Sequence, residues 1–106
     1  MSSFCHLDVT HLAHAWERPN SMIKISELDQ ELGKMIKRRR QRRRLTQMQL
    51  AQVSGVTRTY ISELERGIKD PSIFILFKLA GALKLKPSVL IDDVEHHLAD
   101  PSKSHL

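Results

Sequence analysis

Apolar residues recur along this chain at the three- and four-residue spacing of amphipathic helices. The first such series predicts a helix that begins at a Ser26 cap and ends near Arg43, and its apolar members are Leu28, Leu32, Met35 and Ile36. Four shorter segments follow with similar spacing. No alternating pattern typical of strands competes with them, so the sequence predicts an all-α fold of five helices.

Each later helix is predicted to begin at a residue that suits the first turn and to stop near a turn residue. Thr46, Thr57 and Ser72 are the expected N-caps, and Pro87 opens the fifth helix. Gly55 lies in the turn between the second and third helices, and glycine favours the positive φ of such turns. The predicted spans are 46–53, 57–66, 72–83 and 87–91.

These elements divide the 106 residues into three regions. Residues 1–27 mix His, Ser, Asn and Pro with scattered apolar residues and are predicted to be an N-terminal extension. Residues 28–91 hold the regular helical pattern and form the predicted domain. Residues 92–106 are polar and predict a short helical extension followed by a loose tail.

The distribution of charge indicates what kind of partner the protein binds. The chain has a formal net charge of +5 and a pI near 9.7. Nine Lys or Arg and no Asp or Glu lie between Gly33 and Ser62. An anionic partner is therefore expected: nucleic acid is the first candidate, and an anionic membrane surface is the second.

Several functional classes have no support in the sequence. No apolar run approaches the roughly 20 residues that a membrane-spanning helix needs. The single cysteine, Cys5, cannot form an internal disulfide, which fits a reducing cytoplasm. The six histidines complete no metal site, and no arrangement supports catalysis. We expect neither a metal, a cofactor nor an enzymatic activity.

A set of spaced motifs between residues 32 and 91 resembles the lambda repressor/Cro family of helix-turn-helix domains, also called the XRE family. The second and third predicted helices with their turn read LTQMQLAQVSGVTRTYISELERG, from Leu45 to Gly67. Pro71-Ser72 and Lys78-Leu79-Ala80 continue the pattern. The resemblance implies a compact five-helix DNA-binding domain whose third helix reads the major groove. Val56, Ile61 and Leu64 are expected to face the core and support this helix.

The resemblance also implies which side chains contact DNA. Arg58 and Thr59 are expected over base edges, where arginine can donate to guanine and threonine can touch a thymine methyl group. Ser62 and Glu63, one turn later, are candidates for further bases. Phosphate contacts set orientation, and their candidates are Arg43, Thr46, Gln47, Thr57, Tyr60 and Lys69. Pure capping remains the alternative for Thr46 and Thr57.

Two further pairs of residues have expected roles other than DNA contact. By motif position, Arg40 and Glu65 correspond to a structural salt bridge of the family. Arg44 and Lys84 stand where the family often has a helix-ending glycine, so we expect either a left-handed backbone there at some cost or a different turn. Lys84→Gly is predicted to be neutral or stabilising by roughly 0.5–1 kcal/mol. A solvated face remains the alternative to DNA contact for Arg38, Arg39 and Arg42.

The fourth predicted helix carries more apolar residues than one buried face requires. Ile73, Leu76 and Phe77 are predicted to join the core, and Leu79, Ala80 and Leu83 continue it. Phe74 and Ile75 then remain, and with Val89 they are the candidates for a homodimer interface. The alternative is that the N-terminal segment, through Trp16, folds back over this patch.

The sequence therefore favours a DNA-binding transcriptional regulator, most naturally a repressor that binds a palindromic operator as a homodimer. One alternative is an antitoxin that regulates its own operon while residues 1–27 or 92–106 bind a protein toxin. Another is a protein-interaction module without DNA binding, which Gln47, Arg58 and the basic face disfavour.

Overall fold

The computed structural model describes residues 24–99, and this range forms five α-helices. They are α1 (Ile25–Arg42), α2 (Gln47–Ser54), α3 (Arg58–Glu65), α4 (Ile73–Ala82) and α5 (Pro87–Ala99). The all-α, five-helix prediction is confirmed, since no strand occurs within this range. Among these helices none has the length and apolar character to span a membrane.

One hydrophobic core joins the five helices. Helix α1 packs against α3 and α5, α2 packs against α3 and α4, and α4 packs against α5. The predicted inward positions on the third helix are confirmed, because Val56 is 6% exposed and Ile61 and Leu64 are fully buried. The largest fully buried side chains are Met35, Ile36, Leu50, Ile61, Leu64, Leu79, Leu83 and Leu90.

Three helices begin at the hydroxyl caps that the sequence predicted. Thr46 accepts a hydrogen bond from the Gln49 amide at 3.0 Å, and the Gln49 side chain accepts from the Thr46 amide at 2.8 Å. Thr57 accepts from the Tyr60 amide at 3.1 Å. Ser72 accepts from the Ile75 amide at 3.2 Å. These bonds satisfy amides that have no partner inside the helix.

The predicted start of the first helix and the predicted end of the fifth are wrong. Helix α1 begins at Ile25, with Lys24 at the N-cap and no side-chain cap bond, so Ser26 lies inside the first turn. Helix α5 continues to Ala99, so the short helical extension predicted after Ile91 is a continuation of this helix and not a separate segment. Val94 follows Leu90 by one turn and is 4% exposed. The longer helix is therefore held by the core beyond residue 91.

Helix α4 buries a different face from the one predicted. Leu76, Leu79, Ala80 and Leu83 are buried as expected. Ile73 and Phe77 are not core residues: they are 70% and 58% exposed. They lie four residues apart and therefore share one side of the helix, and that side faces away from α2 and α5.

Candidate nucleic-acid interface

Helices α2 and α3 form a helix-turn-helix unit around a left-handed glycine. Gly55 has φ 78°, and its amide donates to the Ala51 carbonyl at 2.9 Å. The Ser54 hydroxyl accepts from the Val56 amide at 3.2 Å, and the Val56 side chain enters the core. The turn is thus fixed by backbone conformation, two local hydrogen bonds and one apolar anchor.

The beginning of α3 presents free polar side chains to solvent. Arg58 and Thr59, the two residues expected over base edges, are both exposed. Within residues 24–99, Arg58 has no ion pair or side-chain hydrogen bond, so its guanidinium donors remain available. Ser62 and Glu63, one turn later, are half-buried. The structure therefore places the four predicted base-reading candidates on one helix, with the first two the more accessible.

Tyr60 and Glu63, both on α3, form a cluster with Lys69. The Lys69 ammonium lies 3.7 Å from the Glu63 carboxylate and 5.5 Å from the centre of the Tyr60 ring. Tyr60 is half-buried against the core, and this burial, followed by the nearby Asp70 carboxylate, raises the pKa of its hydroxyl. Lys69 is thus held near α3 by a carboxylate and an aromatic face.

The predicted Arg40–Glu65 salt bridge is present and connects three helices. The Arg40 guanidinium donates two bonds to the Glu65 carboxylate, at 2.7 and 3.0 Å, and a third to the Leu45 carbonyl at 2.8 Å. The two side chains are 11% and 4% exposed. A paired, desolvated fork of this kind fixes geometry strongly. It holds the end of α3 against α1 and against the connection to α2.

Gln47 joins the same network. Its side-chain amide donates to Glu65 at 3.0 Å. An amide nitrogen carries two hydrogens, so one N–H is still available to an acceptor such as a phosphate oxygen. The predicted phosphate contact at Gln47 is therefore compatible with this bond, and Glu65 orients the side chain at the start of α2.

The basic run at the end of α1 divides into paired and unpaired cations. Arg39 donates to the Asp93 carboxylate, with its Nε atom at 3.0 Å, and Arg38 lies 3.4 Å from the His97 ring nitrogen. A solvated face is therefore the wrong interpretation for Arg39. Lys37, Arg42, Arg43, Arg44 and Arg58 are exposed, and none of them has an acidic partner within the described part of the chain. Arg42, Arg43 and Arg44 precede α2 and Arg58 opens α3, so positive charge without a carboxylate partner lies at the starts of both helices.

Sequence reasoning missed three features that position this surface. At Gly33, a Cβ atom would lie 2.3 Å from the Leu64 carbonyl oxygen, so α1 and α3 touch through their backbones. A glycine inside a helical pattern is the signal for such a close approach. Asp93, which pairs with Arg39, was assigned to a polar tail. Asp29 is buried beside Asp70, and burial, followed by that second carboxyl, raises the pKa of Asp29.

Comparison with known proteins agrees with this geometry. The chain is 37% identical over 62 residues to an immunity repressor protein of Bacillus phage phi105, across 58% of this chain and 43% of that protein. It is 35% identical over 72 residues to an uncharacterized HTH-type transcriptional regulator of Mycobacterium tuberculosis, across 68% of this chain and 50% of the relative. The chain thus spans half or less of the length of these two relatives.

Two solved structures share the arrangement of helices. The restriction-modification controller protein C.AhdI from Aeromonas hydrophila superposes with a TM-score of 0.57 at 34% identity, covering 58% of this chain and 94% of that one. The clp gene regulator ClgR from Corynebacterium glutamicum superposes with a TM-score of 0.68 at 28% identity, covering 74% and 83%.

A helix-turn-helix family model matches most of the predicted domain. The helix-turn-helix family HTH_3 matches residues 36–90, from the middle of α1 into α5. This span includes the α2–α3 unit, the Arg40–Glu65 bridge and every candidate DNA-contacting residue. The chain therefore belongs to the HTH_3 family of helix-turn-helix domains, the XRE type that its motifs resemble.

Proposed function

We propose that this protein is a sequence-specific DNA-binding transcriptional regulator that reads the major groove with α3. The observation that carries the proposal is the exposed, unpaired Arg58 and Thr59 at the start of a helix whose other face is fixed in the core. A bidentate contact from Arg58 to guanine would contribute about 1–3 kcal/mol of discrimination between bases. Thr59 would contribute an apolar contact to a thymine methyl group.

Phosphate contacts would orient α3 in the groove. Gln47 can donate its second amide hydrogen from the start of α2, and the exposed Thr46 lies beside it. Arg43 is exposed and has no carboxylate partner among the described residues. Lys69 lies beyond the end of α3 and can contribute from the opposite end of the recognition helix. These contacts carry affinity and its dependence on salt, whereas the bases carry specificity.

The exposed apolar face of α4 supports a homodimer as the acting species. Ile73, Phe77 and Gly81 lie four residues apart on one stripe, and Phe74 lies beside it with 64% of its side chain exposed. Gly81 has open space around it, so a helix from a second copy can approach closely there. Of the two other predicted interface residues, Ile75 packs against the core and Val89 is half-buried. The stripe with Phe74 is therefore the better candidate surface.

A dimer built on this surface would read an inverted repeat with half-sites about one helical turn apart. Binding across a promoter would block polymerase, so repression is the proposed action. The similarity to a protein named as an immunity repressor supports this sign of regulation.

The operator is tested by incubating purified protein with fragments of the source genome at near-physiological salt and sequencing the bound fraction. An inverted repeat that recurs in the bound fragments is the expected result. Arg58→Ala should then lower the preference for the repeat over scrambled DNA by roughly tenfold or more. Uniform recovery of all fragments would refute sequence-specific regulation and leave only charge-driven binding.

The homodimer is tested separately by sedimentation velocity with Phe74→Glu. In the wild type, the Lys78 ammonium lies 4.8 Å from the centre of the Phe74 ring. A glutamate at position 74 would therefore face Lys78 at i,i+4 spacing, which favours a folded helix. The variant should sediment as a monomer, whereas Val53→Glu, at a residue of similar exposure on α2, should remain dimeric. A dimer that survives Phe74→Glu would exclude this surface.

A further inference from the structure

Three helices of this domain end with the same hydrogen-bonded turn. After α1, α3 and α4, the second residue past the helix has a left-handed backbone: Arg44 with φ 58°, Gly67 with φ 78° and Lys84 with φ 61°. The amide of each donates three residues back along the chain, at 2.9 to 3.1 Å. The next amide donates five residues back, at 2.8 to 3.2 Å. This is the Schellman arrangement, which normally uses glycine.

Gly67 is the glycine that this turn normally uses, whereas Arg44 and Lys84 are not glycines. A left-handed backbone strains any residue with a Cβ atom, and glycine alone adopts it freely. The expectation that Arg44 and Lys84 adopt this backbone is confirmed. Both are exposed, and neither has an ion pair or side-chain hydrogen bond within residues 24–99. Only the backbone hydrogen bonds of the turn therefore offset the strain, and no side-chain contact within residues 24–99 adds to them at either position.

The two strained positions differ in their surroundings. Arg44 lies two residues before the Thr46 cap, in a turn that the Arg40 guanidinium holds through the Leu45 carbonyl. Its neighbours Arg42 and Arg43 are also exposed and without a carboxylate partner in this part of the chain. Lys84 lies in the turn between α4 and α5, and neither of these helices carries a candidate DNA-contacting residue.

We infer that Arg44 is a further DNA-binding residue that contacts the sugar-phosphate backbone beside the half-site read by α3. The inference rests on the proposed function, since it adds a contact to the same interface. The turn that contains Arg44 is held by the hydrogen bond from Arg40 to the Leu45 carbonyl. Arg40 and Gln47 both donate to Glu65, so the position of this turn is fixed relative to the beginning of α2. A phosphate is the anion that an exposed guanidinium in this place fits. The contact carries affinity and no base preference.

Lys84 provides a matched control, because the two residues share backbone, exposure and charge. Arg44→Gly and Lys84→Gly each remove one positive charge and relieve the same backbone strain. The melting temperature of both variants should equal or exceed that of the wild type. Arg44→Lys keeps both the positive charge and the backbone strain. Comparing it with Arg44→Gly shows whether replacement of the arginine side chain alone, without loss of charge or relief of strain, changes DNA affinity.

The experiment measures affinity by fluorescence anisotropy over roughly 50–200 mM salt, with the inverted repeat selected above and with a scrambled duplex of equal length. For Arg44→Gly, the slope of log K against log salt should fall by about 0.9, and affinity at about 0.1 M salt should fall roughly eightfold on both duplexes. Lys84→Gly should keep the wild-type slope, and Arg44→Lys should stay within about twofold of the wild-type affinity.

The outcomes separate this inference from the proposed function. Equal losses in Arg44→Gly and Lys84→Gly would overturn the inference, since only overall charge would then matter. An unchanged slope in Arg44→Gly would overturn it as well. A wild type that binds both duplexes equally would refute sequence-specific regulation, yet the slopes would still decide whether Arg44 contacts phosphate. A wild type that binds neither duplex would refute both.

Discussion

The contact between α1 and α3 at Gly33 gives a prediction whose size follows from the structure. In Gly33→Ala, the new Cβ atom would lie 2.3 Å from the Leu64 carbonyl oxygen and 3.0 Å from the Glu65 carbonyl oxygen. These neighbours are backbone atoms of a helix and cannot rotate away. The two helices must therefore separate by about 1 Å to restore an ordinary contact, which disturbs the packing of α3.

Two opposing contributions set the change in the free energy of unfolding for Gly33→Ala. Forcing an extra carbon into a packed site costs about 1–3 kcal/mol, and the rigid neighbours favour the upper end. Replacing glycine by alanine inside a helix returns about 1 kcal/mol. The net loss should be about 2 kcal/mol, which lowers the melting temperature by about 8–16 °C for a domain of this size.

Gly81→Ala makes the same chemical change where nothing lies within 4 Å of the new carbon. It should stabilise the domain by about 0.5–1 kcal/mol, so the two variants should move the melting temperature in opposite directions. Both are measured by circular dichroism in the Phe74→Glu background, so that association contributes nothing. A Gly33→Ala variant that melts at or above its parent would refute the close crossing of α1 and α3.

Two further predictions concern buried charges. Glu65→Gln should lower the free energy of unfolding by about 3–5 kcal/mol in urea titrations, because it leaves the Arg40 guanidinium buried without its carboxylate; a loss below about 1 kcal/mol would mean that the bridge acts like an exposed pair. The raised pKa of Asp29 means that the folded protein holds this proton more tightly than the unfolded chain, whose value is near 3.8. The stability from this group is therefore complete below about pH 3.8 and is lost as pH rises through the folded pKa. Asp29→Asn should therefore raise the melting temperature at pH 7, and this stabilisation should disappear near pH 4. An equal effect at both pH values would contradict a raised pKa for Asp29.

The sequence predicted those parts of the fold that depend on local chemistry. Thr46, Thr57 and Ser72 were identifiable as caps because a cap hydroxyl bonds an amide only three residues away. Gly55 was identifiable because the turn demands a positive φ. Such features need no knowledge of which helices pack together.

Features that depend on how helices meet were predicted less well. Five consecutive apolar residues, 73–77, carry no polar marker, so the sequence did not reveal which side of α4 faces α2 and α5. Ile73 and Phe77 were placed in the core for this reason and are exposed. Asp93 lay in a segment rich in Asp and His, and its role follows only once α5 extends to Ala99 and meets Arg39.

The candidate site likewise contains features that the motif predicted and features that depend on how the helices pack. Arg58 and Thr59 were predicted by motif position, and their exposure is consistent with base contact. The bond from Gln47 to Glu65 was not predicted, because it joins residues 18 positions apart through a side chain already assigned to Arg40. Shared partners of this kind are a property of three-dimensional packing.

One carboxylate therefore connects the stability of this domain to its candidate DNA contacts. Glu65 lies at the end of α3 and accepts from Arg40 on α1 and from Gln47 on α2. A change at any of these residues alters both the packing of α3 and the orientation of Gln47, the candidate phosphate donor, so weakened binding there does not by itself identify a lost DNA contact. Arg58 and Thr59 lie outside this network and on the exposed face. Variants at these two positions test the proposed base contacts without disturbing the bridge, and they are the ones that should decide whether α3 selects the site.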